Sequence, residues 1–298
     1  MKIFLTVLTC LLSSSTFCQN PIVDTTQIKN ISLTDVVISV NKTEESKKQT
    51  AQQIKVLDQK EIENYQSQTT ADLIANSGSA TVQKSQLGGG SITLRGFEAN
   101  RNVLVIDGVR MNNLIYRAGH LQNILTTDNN SLERIEVLYG PSSTIYGSDA
   151  LGGVIHLFTK KPVLATGEQK NVIKVNAFSR YGSAANEFAN HLDFNFGLKK
   201  FSSFTSFTYS DFGDLRGGAN KNPFYSGNYG EREYYVERIA GQDSMIINSD
   251  KYLQVQSGYS QYDLMQKFLF QANAKTTHSL NVQYSNSTDV PRYDRLTE

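Results

Sequence analysis

Four histidines, His120, His156, His191 and His278, are the side chains that could bind a metal or move a proton near neutral pH, where unperturbed imidazole titrates. None stands beside a Ser and an Asp in a recognised catalytic motif. Cys10 and Cys18 both fall within the first 18 residues. Removal of that segment would leave no thiol for nucleophilic attack, disulfides or metal ligation. Gly88-Gly89-Gly90 is not followed by Lys and then Ser or Thr, which argues against a phosphate loop. The expected catalytic set is therefore empty, with no catalytic cofactor, and a secreted β-sheet enzyme is a distant alternative. His120 is the fifth residue of the run Tyr116-Arg117-Ala118-Gly119-His120-Leu121, where the bland reading is a residue hydrogen-bonded within a loop. His156 lies in an apolar strand, His191 on a polar strand face and His278 in a short turn, and none of the three is given a role.

Lys and Arg number 29 against 28 Asp and Glu, a net charge of +1, so no electrostatic reason exists to expect a nucleic-acid partner. After residue 20 no stretch approaches the roughly 18 apolar residues of a membrane-spanning helix. A β-barrel stays open, because its strands are apolar on one face only. Residues 1–18, MKIFLTVLTCLLSSSTFC, read as a signal peptide. Lys2 is the charged start, Ile3 to Leu12 the short apolar stretch, and Thr16 and Cys18 the small residues before a cut ahead of Gln19. The alternatives are a buried terminal element or a lipoprotein Cys18, against which the bulky Phe17 argues.

The elements that must position any site follow in order. Residues 19–44 read as a disordered N-terminus holding one β-branched island, LTDVVISV at 33–40. That island is either the first strand of the domain or a strand offered to another protein by edge addition. Residues 45–162 read as a compact α+β unit. Asp58 with Glu61 predicts a capping box, Thr70 a cap for a helix over 71–76, and Leu87 to Gly90 a flexible break. Ile92 to Gly96 reads as a strand, and Asp107-Gly108 as a two-residue hairpin turn. A strand over 132–138 alternates, and Val154 to Phe158 closes the unit. From 171 to 298 the pattern changes to long alternating strands. Ile173, Val175, Ala177 and Tyr181 oppose Lys174, Asn176 and Arg180; Phe188, Leu192, Phe194, Phe196 and Leu198 oppose His191, Asp193 and Asn195. Five or six such strands, joined by short turns and a long loop from Gly213 to about Lys251, predict an outer-membrane barrel. A soluble antiparallel sandwich is the competing architecture.

Several segments resemble TonB-dependent outer-membrane receptors in order and spacing: TLRGF (Thr93 to Phe97), NVLVIDGVRMNN (Asn102 to Asn113), LERIEVLYGPSSTIYGSDALGGVI (Leu132 to Ile155) and STDVPRYDR (Ser287 to Arg295). The resemblance implies an α+β plug domain followed by the first antiparallel strands of an outer-membrane β-barrel, a receptor for a scarce nutrient and no enzyme. LTDVVISV looks like a TonB box, which makes Thr34, Asp35, Val36, Val37, Ile38, Ser39 and Val40 the implied TonB-binding residues. The implied partners are TonB with its inner-membrane motor, outer-membrane lipid and a nutrient carrier. Arg95, Gly96, Asp107, Gly108, Glu136, Gly140, Pro141, Gly147, Gly152 and Gly153 are the implied structural residues of the plug. Arg95 and Glu136 would pair with each other or with the barrel, or stand exposed. Tyr116 to Leu121 resembles the haem, haemoglobin and transferrin branch, which makes His120 an implied haem-iron ligand, with Tyr116 and Arg117 as further contacts. Haem would then be cargo; a siderophore, cobalamin or an oligosaccharide is the alternative, and a passive porin a distant one. Family barrels have about 22 strands. The 128 residues from 171 to 298 are too few, so a truncated, incomplete barrel is expected.

Overall fold

The computed structural model describes residues 36–37, 39–43, 45–98, 101–111, 116–117, 120–121, 123–220, 223–224 and 230–292. The expected signal peptide, Thr34, Asp35 and Ile38 lie outside them. The first half is an α+β unit. Its elements are β1 (Val36–Val37), β2 (Glu45–Ser46), β3 (Ile54–Leu57), α1 (Gln59–Tyr65), α2 (Thr70–Asn76), β4 (Thr81–Gln83), β5 (Ser91–Thr93), β6 (Asn102–Ile106), β7 (Val109–Arg110), β8 (Tyr116–Arg117), β9 (His120–Leu121), β10 (Leu132–Tyr139), α3 (Ser143–Tyr146) and β11 (Gly153–Thr159). The central sheet has the order β3-β10-β11-β6-β7. Only the β11–β6 pair is parallel.

Local signals account for most of these elements. Asp58 and Glu61 close both halves of a capping box on α1. Thr69, not Thr70, caps α2: its hydroxyl accepts from Asp72 N at 3.2 Å, while Thr70 donates to the Thr127 carbonyl at 2.6 Å. The strand expected over Ile92 to Gly96 stops at Thr93, and Arg95-Gly96 forms a turn with positive φ at both residues. Leu87 to Gly90 is buried rather than a loose break. A Cβ on Gly88 would lie 2.7 Å from the ring of Tyr259, so the missing side chain is what lets the following sheet lie against this segment.

The central sheet is covered on both faces, which is why β10 and β11 are buried almost throughout. Ile135, Val137, Ile155, Leu157 and Leu104 pack under α1 and α2 with Ile62, Leu73 and Ile74. Leu138, Val154, Val103 and Val105 point the other way and are covered by Val37, Tyr146 and Ala150. Strand alternation places Arg134, Glu136, His156 and Phe158 on this second face.

The second half is a five-stranded antiparallel sheet in the order β12 (Asn171–Gly182), β13 (Glu187–Leu198), β14 (Phe201–Phe212), β19 (Tyr259–Asn273), β20 (Thr276–Ser287). The connection between β14 and β19 carries β15 (Leu215–Arg216), paired with β18 (Leu253–Gln254), and the hairpin β16 (Tyr234–Ile239) with β17 (Gln242–Ile247). Composition hid that hairpin, since its turn, Ala240-Gly241, sits in an otherwise polar loop. Thr276 to His278 is strand, and the turn before it is Ala274-Lys275.

Register sets the faces of this sheet. Ala177, Leu192, Phe207, Leu264 and Tyr284 form one rung, and Ile173, Phe196, Ser203, Phe268 and Leu280 another. This face is open: Val175 is 60% exposed and Leu192 48%. On the opposite face Asn195 is 2% exposed and Asp193 6%. The polarity is the reverse of a water-soluble sandwich, in which the apolar face would be the covered one. β14 alternates poorly in sequence because Phe204 and Phe212 point to the covered side, where Phe212 packs with Leu87, Ala185 and Tyr259.

Candidate functional site

The N-terminal segment is docked on the second face of the central sheet. β1 pairs with β2, Val36 opposite Ser46 and Val37 opposite Glu45, and the Val37 side chain is fully buried. Ser39 is buried beside it. Its backbone N–H donates to Glu136 Oε2 at 2.9 Å, and its hydroxyl donates to the same oxygen at 2.6 Å. The other carboxylate oxygen of Glu136 accepts from Arg134 Nε at 2.8 Å. A carboxylate with no solvent exposure needs such donors, because burying it unpaired would cost several kcal/mol. Glu136 therefore pairs with Arg134 and Ser39, and not with Arg95. Arg95 is exposed in its turn, bonded to Gln53 and lying over the Tyr139 ring at 5.0 Å.

The glycine-rich segment from Gly140 to Gly153 builds the other wall of this dock. Gly140 N donates to Gly152 O at 3.0 Å, and Ser142 N to Ala150 O at 2.8 Å. Pro141 O accepts from Gln52, and Gly147 ends α3. A Cβ on Gly152 would stand 2.3 Å from both Asn102 Oδ1 and Phe97 Cβ, so only glycine permits this closure. Gly153 is similarly tight against the Leu138 carbonyl. The closed loop aims Tyr146, whose hydroxyl donates to the Ser39 carbonyl at 2.8 Å. Burial, helped by the nearby Glu136 charge, pushes the Tyr146 phenol up to about 12, so it stays a donor at any physiological pH.

His156 is the member that sequence reasoning left without a role. It lies opposite Glu136 in the β10–β11 register and stacks on Phe158 with centroids 3.9 Å apart. Its Nδ1 lies 3.3 Å from Ser39 Oγ, and its Nε2 accepts from Gly108 N at 2.9 Å. Nε2 must therefore be unprotonated, and the neutral ring carries its proton on Nδ1, facing Ser39. Burial holds the imidazole down to about 4 against the attraction of Glu136 and Asp107. The signal in the sequence was one titratable residue inside Val154-Ile155-His156-Leu157-Phe158; its partners were too distant in the chain to be seen.

Asp107-Gly108 forms the expected tight turn, with φ of 47° and 86°. Asp107 also accepts from Thr159 N at 2.9 Å, Thr159 Oγ1 at 2.6 Å, and from two residues of the long-stranded sheet, Lys267 Nζ and Asn281 Nδ2, each at 2.9 Å. Other polar contacts join the two halves: Lys160 with Asp193 at 2.7 Å, Gln68 with Glu187 at 2.8 Å, and Gln261 Nε2 with the Leu125 carbonyl at 2.9 Å. A cleft of about 550 Å³ opens between α1, Asn129-Asn130 and residues 176–181 of β12. Its cations Lys160 and Arg180 are already neutralised by Asp193 and Glu187.

Tyr116, Arg117 and His120 are brought together by the short β8–β9 pairing, with Arg117 directly opposite His120. Their side chains lie outside the described residues, as do those of Val36 and Ile38. Val40 is half-buried and packs beside Val37. Among the described residues no cluster of three or more His, Cys, Asp or Glu could hold a metal ion.

Residues 46–154 match the family described as TonB-dependent Receptor Plug Domain. The chain is 28% identical over 220 residues to the vitamin B12 transporter BtuB of Vibrio vulnificus strain CMCP6, covering 72% of this chain and 33% of that protein. The same transporter from strain YJ016 is 35% identical over 127 residues, 42% of this chain and 20% of its own length. Among solved structures, the copper transporter OprC superposes with a TM-score of 0.60 at 14% identity, covering 80% of this chain and 32% of that one. The pyoverdine outer-membrane receptor FpvA of Pseudomonas aeruginosa PAO1 gives 0.54 at 15% identity, covering 85% and 30%. At such identities the likeness is one of fold. The chain spans about a third or less of the length of the relatives it matches.

Proposed function

We infer, from a chain that contains a TonB-dependent receptor plug domain followed by antiparallel strands of a barrel, that it serves active uptake of a scarce nutrient across the outer membrane. The observation that carries this reading is the reversed polarity of the long-stranded sheet. Its exposed face is aliphatic and aromatic, suited to lipid, and its covered face is hydrogen-bonded to the plug. In this reading Thr34 to Val40 is the TonB-binding strand. Val37 and Ser39 are buried in the docked state, so TonB could add to this strand only after it leaves the Glu136 face. Cargo on the outer side would favour the released state over the docked one. The test is uptake of labelled cargo by cells carrying the intact gene, with and without TonB. Uptake that persists undiminished without TonB would make the protein a passive pore.

The cargo is a metal-bearing macrocycle in either of two readings. Haem is supported by His120 in Tyr116 to Leu121, since imidazole ligates haem iron directly. A corrinoid is supported by the vitamin B12 transporters among the relatives. Siderophores remain the further alternative, in line with the fold shared with FpvA. Titrating the purified protein with haem and with cobalamin separates the first two. A haem spectrum unchanged by His120→Ala removes the ligand role. Saturable cobalamin binding without haem binding moves the cargo to the corrinoid.

A further inference from the structure

Two polar networks meet at the two nitrogens of a single imidazole. On one side Ser39 of the N-terminal segment bonds to Glu136 and faces His156 Nδ1. On the other, Gly108 N donates to His156 Nε2, and the adjoining Asp107 holds Lys267 of β19 and Asn281 of β20. We propose that His156 is a positioning residue that links docking of the N-terminal segment to the grip of the plug on the barrel wall at Lys267 and Asn281, so that loosening one loosens the other.

The chemistry of the ring supplies the link. A neutral imidazole has one donor and one acceptor, and fixing either nitrogen fixes the other. The Gly108 N–H requires Nε2 to accept, which leaves the Nδ1 proton for Ser39. Rotation of the ring is restrained by its stack on Phe158, which is itself covered by the Arg134 guanidinium at 4.0 Å. Asp107 and Gly108 are the two central residues of one tight turn, so a displacement of Gly108 moves the Asp107 carboxylate. That carboxylate also receives two hydrogen bonds from Thr159, on the same strand as His156, which ties turn and ring into one rigid piece. Buried networks of this kind polarise one another and act together more than separate bonds do.

The linkage must be reciprocal, because a coupling free energy is shared by both sites. Hydrogen exchange read by mass spectrometry, on the whole protein in outer-membrane vesicles, tests it through peptides 36–43 and 104–111, the second of which contains the Gly108 amide. Lys267→Met is expected to speed exchange in 36–43 about fivefold, the scale of one net hydrogen bond, and Ser39→Ala to speed exchange in 104–111 by a similar factor. In a His156→Phe background, which keeps the stack and removes both nitrogens, each effect should stay on its own side. His156→Leu, which likewise has neither donor nor acceptor, serves the same purpose if the Phe variant does not fold. Variants that change only their own peptide in the wild-type background overturn the proposal. So do cross-effects that survive the loss of His156, which would route the coupling elsewhere. The proposal rests on the TonB reading only for its use. The exchange experiment contains no TonB, so a failure of TonB to bind the segment and a failure of this linkage are seen separately.

Discussion

Replacing Glu136 by Gln changes one oxygen to NH2 and nothing else in size. The carboxylate faces donors on both sides: Ser39 N and Oγ at Oε2, and Arg134 Nε at Oε1. A carboxamide can turn its oxygen toward only one of them, so in either orientation its NH2 meets a donor. If the oxygen stays with Ser39, Arg134 is left as an uncompensated, mostly buried cation. If it turns to Arg134, the buried Ser39 N–H loses its acceptor, and the Ser39 hydroxyl can only reverse and accept from the new NH2. Breaking a buried charge pair on one side typically costs about 3 kcal/mol. When that falls on the docked state, the undocked population of segment 36–43 rises roughly 100-fold, at tenfold per about 1.4 kcal/mol. Hydrogen exchange of the 36–43 peptide at constant pH measures this population directly. A rise of less than about threefold would show that Val37 packing and the Tyr146 bond hold the segment without the carboxylate, and the electrostatic account would be wrong.

Tyr146→Phe removes only the bond to the Ser39 carbonyl and should raise exchange in 36–43 by about five- to tenfold, the scale of roughly 1 kcal/mol. His156 has a folded pKa of about 4 against an ordinary 6.5. Its contribution to stability is fully present above pH 6.5 and is lost as pH falls through 4, a change of about 3 kcal/mol for a shift of this size. Denaturation midpoints measured from pH 7 to pH 4 should fall, and His156→Gln should flatten that part of the profile. Gly88→Ala would put a Cβ 2.7 Å from the Tyr259 ring. It should destabilise the protein by about 1–3 kcal/mol through overpacking, and Tyr259→Leu in the same molecule should recover part of that loss in a thermal melt.

Elements encoded by short-range patterns were legible. The capping box at Asp58 and Glu61, the Asp107-Gly108 turn and the period-two faces of β12 and β13 depend on residues within a few positions of each other. Elements set by distant neighbours were not. β10 reads as a one-faced strand, yet Val37 and Tyr146 cover its second face, and neither is visible from the strand itself. Gly88 reads as slack in the chain because glycine signals freedom locally, while its fixed position comes from Tyr259. Glu136 was visible as a charge needing a partner; that the partner is Ser39 rather than Arg95 depends on the N-terminal segment folding back across 97 positions. Residues 33–40 had two readings in the sequence, first strand or offered strand. β1 is paired with β2 and docked, and the offered strand belongs to the proposed released state.

The two kinds of contact in this molecule differ in how readily water can replace them. Within the plug, the central sheet is sealed by aliphatic clusters on both faces, and opening it exposes apolar area at about 25 cal/mol per Å². Between plug and barrel strands the contacts are mostly hydrogen bonds and ion pairs, such as Lys160 with Asp193, Gln68 with Glu187 and Lys267 with Asp107. Water can take over each of these at a net loss of about 1 kcal/mol, somewhat more where a charge is involved. The main apolar seam across that boundary is the small group of Leu87, Ala185, Phe212 and Tyr259. A displacement of the plug would therefore separate the wall contacts before it unfolds the sheet. The docked N-terminal segment belongs energetically with the wall contacts, since Ser39 is held by polar groups and, among the described residues, Val37 is its fully buried aliphatic anchor. Segment and wall are thus the two parts of the plug held largely by polar contacts, release of the segment uncovering the second face only where Val37 sits, and His156 stands between them.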